Sequence, residues 1–504
     1  MKPAADQYDA VIVGSGFGGS LVAHALSRAG WRVLVLERGT WARRDSLDWN
    51  PREISIRNRY GAASPILVRQ YGARRFSRVF PPALVGGQSV LYGGASLRLR
   101  EADLARWPLS YAELEPYYAR AEEVLGVHGA ATTAPWEPPR LNGYPFPPGE
   151  LTAPSRRLHQ AARQLGYSPQ RLPLAINAGD PTRPRCVECT TCDGFPCRIR
   201  AKNDLAEKVL IPAQASGVEV ADQTTVASLR LDRGAVRSVH CRDGSSGEEF
   251  EVRGRVVVMA AGALYSPAIL LRSGLGQGAD GAFLGRHLMR HCNGVVVAVF
   301  PFSTNPGRCF HKQLCFTEFY EDLRVQLGTA TGVIQDIYTP SAEVLRHFAP
   351  LGLGRAAHLL AGNIQNLVCI AEDEPQPENR VSLATERDEH GLELIAVEHR
   401  YSRADVRRRT YLVTRARRIL RRAGGWPVHT RMIDTFSHAL GTIRFGDSPA
   451  TGALDLDCRY WSLDNLYVTD SSFMPTSGGV NPSLTIAANA LRVADRIVAA
   501  WGSS

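Results

Sequence analysis

Four of the chain's ten cysteines lie within twelve residues, in the stretch CVECTTCDGFPC from 186 to 197. They are Cys186, Cys189, Cys192 and Cys197, and their spacing is C-x2-C-x2-C-x4-C. The opening C-x2-C-x2-C is typical of bacterial ferredoxins, whose thiolates hold an iron–sulfur cluster. Zinc sites more often use two C-x2-C pairs that a longer loop separates. The spacing therefore favours an iron–sulfur cluster, with a zinc site and a set of metal-free thiols as the alternatives.

A second stretch, YDAVIVGSGFGGSLVAHALSRAGWRVLVLERG from 8 to 39, has the spacing of a dinucleotide-binding turn. In such a turn the first glycine, here Gly14, lets the chain pass tightly from strand to helix. Gly16 lets a diphosphate approach the backbone, and Gly19 lets the helix pack closely on the strand. Glu37 is placed to accept hydrogen bonds from ribose hydroxyls. The pattern predicts a site for NAD or FAD and disfavours NADP.

Three elements must position these residues. The apolar run Ala10–Val13 predicts a buried strand, the residues from Gly18 to Ala29 predict a helix, and Arg32–Leu36 predicts a second strand. The N terminus of the helix presents free N–H groups and a partial positive charge, which suit phosphate. The order strand, turn, helix, strand predicts an α/β fold.

Length and composition indicate a globular protein with more than one structural unit. A chain of 504 residues exceeds what one compact core usually holds, and 44% hydrophobic with 21% charged residues is ordinary for a globular protein. The first residues, MKPAADQYDAVIVGSG, lack the features of a secretory signal peptide. No apolar run is long enough to cross a membrane. We therefore expect a cytoplasmic protein with no membrane span.

The net charge of +10 raises the question of nucleic-acid binding. The charge comes mainly from arginine, because the chain has only four lysines, Lys2, Lys202, Lys208 and Lys312. The densest basic stretch, RADVRRRTYLVTRARRILRR from 403 to 422, has apolar positions at helical spacing. It predicts a helix with a solvated arginine face, so we expect no nucleic-acid partner.

Three further stretches indicate a flavin rather than a nicotinamide. PPALVGGQSVLYGGASLRLR (81–100) is a second glycine-rich loop, and a loop of this kind lets a large planar ring approach the main chain. VVVMAAGALYSPAILLRSG (256–274) predicts a buried strand, a turn and a helix. LDNLYVTDSSFMPTSGGVNPSLTIAANALRVADRIVAAW (463–501) predicts a strand that ends at Asp470, a loop and a long closing helix.

Together these stretches resemble the glucose–methanol–choline (GMC) oxidoreductase family, which binds FAD. Four more stretches extend the likeness over most of the chain: WPLSYAELEPYYARAEEVLGVHG (107–129), FLGRHLMRH (283–291), SHALGTIRFG (437–446) and GGVNPSLT (478–485). The resemblance implies a Rossmann-like α/β FAD-binding domain and a substrate domain built on an antiparallel sheet backed by helices. We assign 1–155, 205–295 and 433–504 to the FAD-binding domain, 156–204 to a cysteine-rich segment at the domain junction, and 296–432 to the substrate domain.

The resemblance also implies a set of cofactor contacts. Gly14, Gly16, Gly19 and Glu37 would bind the ADP part of FAD, while Gly87, Ser89, Tyr92 and Gly93 would lie near the isoalloxazine. Val226 would reach the adenine, and Asp470 the ribityl chain or the diphosphate. Many members of the family carry asparagine where this chain has Tyr92. No histidine is placed for a covalent link, so we expect non-covalent FAD.

His438 and Asn481 are the candidate catalytic residues. Flavin-dependent oxidation of an alcohol needs a base for the hydroxyl proton, and imidazole has a suitable pKa. A second hydrogen-bonding group fixes the hydroxyl and stabilises the developing alkoxide. The resemblance assigns His438 as the base and Asn481 as the orienting group. Without the resemblance, His438 would be interpreted as a packed or surface residue and Asn481 as the cap of a helix. We expect His291 to be structural.

The sequence thus predicts flavin-dependent oxidation of a CH–OH group, with hydride transfer to N5 of FAD and a sugar- or cyclitol-like alcohol as candidate substrate. The alternatives are a non-oxidative flavoenzyme, such as a lyase or photodecarboxylase, and a flavin-stabilised binding protein. The electron acceptor would be oxygen, a quinone or a redox protein. An iron–sulfur cluster would favour a quinone or protein acceptor, because a cluster passes electrons singly.

Overall fold

The structure is a computed structural model, and it describes residues 3–70, 73–132, 134–349, 352–433 and 435–502. Each predicted FAD-binding or substrate segment except 205–295 therefore includes a few positions outside the described residues. The domain boundaries remain a prediction. Three sheets organise the described part of the chain.

The strands are β1 Gln7–Val13, β2 Val33–Leu36, β3 Ile66–Gln70, β4 Ser77–Val79, β5 Gln170–Arg171, β6 Glu219–Ala221, β7 Thr224–Asp232, β8 Ala235–Asp243, β9 Glu249–Met259, β10 Gly294–Val299, β11 Leu314–Phe316, β12 Gly332–Ile337, β13 Ile364–Ala371, β14 Arg380–Arg387, β15 Glu393–His399, β16 Trp426–Met432 and β17 Leu466–Val468. The α-helices are α1 Phe17–Arg28, α2 Glu101–Leu104, α3 Tyr111–Leu125, α4 Ala153–Gln164, α5 Ile211–Ala215, α6 Tyr265–Arg272, α7 Gly278–Gly281, α8 Arg324–Leu327, α9 Ala342–Phe348, α10 Gly354–Leu359, α11 Arg403–Arg422 and α12 Ser483–Trp501.

The first sheet has seven strands in the order β6-β2-β1-β9-β8-β7, and β17 pairs with the end of β9. β6, β2, β1, β9 and β17 run parallel. Their apolar sequences are continuous because parallel strands are usually covered on both faces. β7 and β8 extend the sheet as an antiparallel pair on the first half of β9. With α1 packed on β1, β2 and α12, this is the predicted Rossmann-like α/β arrangement.

The second sheet is antiparallel, with six strands in the order β16-β10-β13-β12-β11-β5. α11 packs across it and covers the whole basic stretch 403–422, as predicted. A capping box of Ser402 and Asp405 starts this helix. The prediction of a wholly solvated arginine face was wrong at one position. Arg408 is fully buried and donates hydrogen bonds to Asp405 and to the carbonyl of Leu327.

The third sheet has the order β14-β15-β3-β4. It joins two strands from the early part of the chain to two from the predicted substrate segment, and β15 pairs in parallel with β3. The FAD-binding and substrate segments are therefore tied together by a shared sheet.

The predicted elements near the glycine turn agree with the structure within three residues at each end. Two short helices, α9 and α10, follow β12, and positions 350 and 351 between them lie outside the described residues. In the described part of the chain, no helix combines the length and apolar character that a membrane span requires.

Candidate active site

The turn after β1 forms an open cradle. A Cβ built on Gly16 would meet no heavy atom within 4 Å. In contrast, a Cβ on Gly14 would collide with the backbone of Ala260, and one on Gly19 with the carbonyl of Gly14. Gly14 also has a φ of +101°, which favours glycine. Gly14 and Gly19 thus permit close packing, while Gly16 leaves free space in front of the turn.

The N terminus of α1 faces this space. Gly16 is the N-cap residue, and no side chain accepts a hydrogen bond from the first turn of the helix. Uncapped N–H groups together with the helix dipole make such a terminus a binding site for phosphate. The cradle therefore fits the diphosphate of FAD.

Glu37 is buried at the end of β2, beside the glycine turn. Its Oε2 accepts hydrogen bonds from the N–H of Ser15 at 3.1 Å and from the Ser15 hydroxyl at 2.6 Å. Its Oε1 accepts from the N–H of Gly39 at 2.8 Å. The Ser15 hydroxyl in turn accepts from the N–H of Gly86 at 2.9 Å. Ser15, which the glycine motif alone does not single out, therefore connects Glu37 to the second glycine-rich loop.

The second glycine-rich loop lies directly on the first. A Cβ on Gly87 would be 2.9 Å from the Cα of Gly16. The Ser89 hydroxyl donates to the carbonyl of Gly86 at 2.6 Å and accepts from the N–H of Leu205 at 2.9 Å. The side chain of Ser89 is therefore engaged in holding the loop, and the loop can offer its backbone to a ligand.

Tyr92 and Val226 each lie beside one of the elements that form this region. The Tyr92 hydroxyl donates to the carbonyl of Asn203 at 3.1 Å, and its ring packs edge-on against Phe17. Tyr92 thus fixes the loop to the segment after the cysteines. Val226 is buried on β7, two residues beyond Thr224, whose N–H donates to the carbonyl of Glu37.

Asp470 follows β17 and is saturated with hydrogen bonds. One carboxylate oxygen accepts from the N–H of Gly262 at 2.9 Å and from the Ser266 hydroxyl. The other accepts from the N–H and hydroxyl of Ser472. Asp470 therefore ties the segment that follows β17 to the segment from Gly262 to Ser266 beside the parallel sheet.

His438 is joined to a second histidine. The Nδ1 atoms of His438 and His291 are 3.0 Å apart. His291 is fully buried, and its Nε2 lies 2.9 Å from the carbonyl oxygen of Gly478 and 3.2 Å from that of Ser477. A carbonyl oxygen can only accept, so Nε2 of His291 carries the hydrogen.

The hydrogen positions of the pair follow from this constraint. Burial lowers the pKa of His291, so its imidazole is neutral and its Nδ1 has a lone pair. His438 must then donate from its Nδ1, which leaves the lone pair of His438 on Nε2. Burial also lowers the pKa of His438 well below its usual value, and the positive charge of Lys312 lowers it further, against the opposing effect of Asp373. His438 is thus an unprotonated base in a defined tautomer.

Asn481 is held by Gln335. The Gln335 amide donates from Nε2 to Oδ1 of Asn481 at 2.7 Å, so the NH2 group of Asn481 is left to donate to a ligand. Taken as an isolated Asn-Pro pair, Asn481 would cap the closing helix, but the structure shows that it does not. Pro482 is the N-cap residue of α12, and no side chain caps this helix. The predicted closing helix itself is confirmed.

The four clustered cysteines do not form a metal site in the structure. All ten cysteines are free, and the described residues contain no group of three or more His, Cys, Asp or Glu side chains that could hold a metal ion. Burial raises the pKa of Cys186 to about 11 and that of Cys192 still further, which favours neutral thiols over the thiolates that metals bind. The loop in this conformation does not fit an iron–sulfur cluster or zinc.

A buried lysine organises the cysteine-rich loop instead. Lys202 is 1% exposed, and its ammonium donates to the carbonyls of Val90, Cys192 and Phe195 at 2.7–3.0 Å. A second lysine, Lys312, forms an ion pair with Asp193 of the same loop at 2.6 Å. Neither lysine was predicted as a site residue. The sequence does contain a signal that could have pointed to them: lysine is rare in this chain, whose basic residues are mostly arginine.

The comparisons with known proteins are consistent with this site. The GMC oxidoreductase N-terminal model matches residues 8–293, and the corresponding C-terminal model matches residues 375–490. The chain belongs to the GMC oxidoreductase family. The resemblance stated from the sequence is thereby confirmed, and with it the α/β fold and the binding of FAD. This GMC oxidoreductase is an FAD-dependent enzyme that oxidises CH–OH groups.

Two relatives of this GMC oxidoreductase are 32% identical to it, and in both cases the match covers 97% of this chain and 91% of the relative. They are the 6'''-hydroxyparomomycin C oxidase of Streptomyces lividus and the paromamine 6'-oxidase of Streptomyces fradiae. Among solved structures, pyridoxine 4-oxidase from Mesorbium loti has the same fold, with a TM-score of 0.69 and 22% identity over 97% of this chain and 98% of that one.

Proposed function

We propose that this enzyme oxidises an alcohol group on a sugar- or cyclitol-containing amine, with His438 as general base and Asn481 as orienting group. The observation that carries the proposal is the hydrogen-bond arrangement that leaves Nε2 of His438 as an acceptor and the amide of Asn481 as a donor. A hydroxyl group needs this combination, an acceptor for its proton and a donor to its oxygen. The substrate class follows the names of the two relatives, since paromamine and 6'''-hydroxyparomomycin C are amino sugars.

In the proposed reaction, Asn481 donates its amide N–H to the substrate oxygen and so fixes the CH–OH group. Nε2 of His438 takes the hydroxyl proton as the C–O bond gains double-bond character. FAD, when bound, supplies the acceptor for the hydride that leaves the carbon. His291 is a positioning residue, because it holds His438 in the tautomer that has its lone pair on Nε2. The product is an aldehyde or ketone.

The cofactor contacts belong to the same proposal. The ADP part of FAD would be held by Gly14, Gly16, Gly19 and Glu37, and the adenine would be reached by Val226. Asp470 would lie near the ribityl chain or the diphosphate. The residues near the isoalloxazine would be Gly87, Ser89, Tyr92 and Gly93. The free space at Gly16 and the uncapped helix N terminus support the assignment. For Ser89, Tyr92 and Asp470 the side chains are already engaged with the protein, so we assign their part to shaping the site.

We further infer that Cys186, Cys189, Cys192 and Cys197 are metal-free thiols, that oxygen is the electron acceptor and that the enzyme is cytoplasmic. Support comes from the placement of the cysteines, which does not gather three ligands, from their free thiols and from the oxidase names of the relatives. Iron and sulfide should be measured on protein purified without oxygen. Iron in stoichiometric amount, lost in Cys192→Ser, would overturn this inference and restore the cluster.

The replacement His438→Ala tests the base. It should retain FAD, because His438 takes no part in the hydrogen bonds that hold the glycine cradle. It should oxidise paromamine at least about a hundredfold more slowly, in keeping with the usual contribution of a general base. Wild-type rates in an FAD-loaded His438→Ala protein would remove the assignment.

A further inference from the structure

A buried ion pair lies between the cysteine-rich loop and the second sheet. Nζ of Lys312, just before β11, is 2.6 Å from Oδ2 of Asp193, and the two side chains are 8% and 19% exposed. The pair therefore connects the cysteine-rich loop, which carries Asp193, to the start of β11, which follows Lys312. The small remaining exposure leaves the pair accessible from the solvent-facing side of the loop.

The flavin loop is shaped to receive this pair. A Cβ on Gly93 would be 2.6 Å from Nζ of Lys312 and 2.8 Å from the carboxylate of Asp193. A side chain at position 93 would therefore force the pair to move, whereas glycine lets the pair lie against the loop. The next residue of the cysteine-rich loop, Gly194, donates its N–H to the carbonyl of Leu91 at 2.6 Å. The pair is thus held on the Asp193 side by a backbone hydrogen bond between the two loops.

The pair is also electrostatically close to the proposed base. The positive charge of Lys312 contributes to the lowered pKa of His438, and Asp193 contributes to the raised pKa of Tyr338. The hydroxyl of Tyr338 would lie 3.7 Å from a Cβ on Gly194. Lys312 also lies three residues before Cys315, which is opposite Gln335 in the β11–β12 pair, and Gln335 holds Asn481. The ion pair and the proposed active-site residues therefore belong to one region beside the flavin loop.

Much of the hydrogen-bonding capacity of the pair is unused. An ammonium has three donors and a carboxylate about four acceptor sites. In the described residues, the one hydrogen bond that either side chain makes is the bond between them. A charged group with free capacity beside a reaction site would bind a polar substituent of the substrate, whereas an apolar substituent would leave both charges poorly solvated.

We propose that Asp193 and Lys312 form a specificity site that binds a second hydroxyl group of the substrate, adjacent to the CH–OH group that is oxidised. A hydroxyl matches the pair because it can donate to Oδ1 of Asp193 and accept from Nζ of Lys312 at once. The inference rests on the proposed function and narrows it to alcohols with a neighbouring hydroxyl. It also gives the cysteine-rich loop a role, because the loop carries Asp193 to the site.

The test compares two alcohols that differ by one hydroxyl, 2-methyl-1,2-propanediol and 2-methyl-1-propanol. Each is assayed with the FAD-loaded enzyme as a substrate and as a competitor of paromamine oxidation. The wild type should prefer the diol by about tenfold or more, the usual effect of a hydrogen bond to a charged group. The ratio of the rate with the diol to the rate with the mono-alcohol should fall close to one in Lys312→Met, in Asp193→Asn and in the double variant. The double variant leaves no lone charge at the site.

The matched control is Lys208→Met, which removes a lysine of another ion pair, with Asp180 at 3.5 Å. It should keep the wild-type preference. A preference for the diol that persists in the double variant would overturn the inference, as would the absence of any preference in the wild type. If no alcohol, paromamine included, reduces the flavin of the wild type, it is the proposed function that fails.

Discussion

Replacing His291 should impair catalysis without loss of FAD, because its proposed role is to fix the tautomer of His438. The structure gives His291 two kinds of contact, an acceptor at Nδ1 for His438 and donation from Nε2 to the backbone. His291→Ala removes both. His291→Asn can keep the acceptor for His438, since its amide oxygen can take the position of Nδ1. Asparagine also tolerates the backbone at this position, where φ is +58°.

The expected size of the effect follows from the lost hydrogen bond. In His291→Ala, the Nδ1–H of His438 has no acceptor at this position. An unsatisfied buried donor costs about 1–3 kcal/mol, which corresponds to a loss of about five- to 150-fold in kcat/KM. His291→Asn should recover most of that loss.

The assay is the pH dependence of kcat/KM for paromamine, with FAD content and thermal stability measured on each variant. His438 works as the unprotonated base, and its pKa is lowered well below the usual value. In the wild type, kcat/KM should therefore be flat near neutral pH and fall only in acid, below about 6.5, the ordinary pKa of histidine. Burial is the main cause of the lowered pKa of His438, and removal of the His291 ring relaxes that burial, so the acid limb should move upward in His291→Ala. Equal activity of all three proteins, or a loss with no shift of the acid limb in a stable FAD-loaded variant, would refute the tautomer argument.

Three further predictions follow from contacts in the structure. Gly16→Ala should fold normally but lose FAD, because the added Cβ fills only the space for the ligand. Gly19→Ala should instead lower the melting temperature, because its Cβ collides with the backbone. The same effect in both variants would contradict the assignment of the cradle. Lys202→Met should lower the free energy of unfolding by at least about 3 kcal/mol, because three carbonyls lose a charged donor. The measurement is a urea titration. A change below about 1 kcal/mol would count against the role of Lys202 in holding the cysteine-rich loop. Gln335→Leu should lower kcat/KM about tenfold at unchanged FAD content, because Asn481 is no longer held, and an unchanged rate would show that Asn481 needs no such support.

The local features of the fold were predictable from the sequence. The glycine turn, its flanking elements and Glu37 are within one short segment, so their arrangement is determined by local spacing. The basic helix α11 and the closing helix α12 were predictable for the same reason. Arg408 was mispredicted because the carbonyl of Leu327, one of its two partners, meets it only in the folded chain. Its other partner, Asp405, lies one turn earlier on the same helix.

The site was predictable only in part. His438 and Asn481 are carried by recognisable motifs, but the residues that hold them are not. Gln335 reaches Asn481 from the second sheet, and His291 meets His438 from a segment 147 positions earlier. Spacing alone could not indicate these contacts, because they depend on how separate sheets meet.

The cysteine-rich loop shows the opposite failure. Its spacing indicated a metal site, yet spacing does not determine where the sulfur atoms point. In the structure the backbone carbonyls of the loop face Lys202, and the loop brings Asp193 to Lys312. The physical signal in the sequence was the pair of rare lysines rather than the dense cysteines.

The most direct test of the central claim is anaerobic mixing of the FAD-loaded enzyme with paromamine. Loss of the oxidised flavin band, with one carbonyl product formed per flavin and no loss in His438→Ala, is the result we expect. An oxidised flavin that stays unchanged with paromamine and with other amino-sugar and simple alcohols would contradict the proposed reaction.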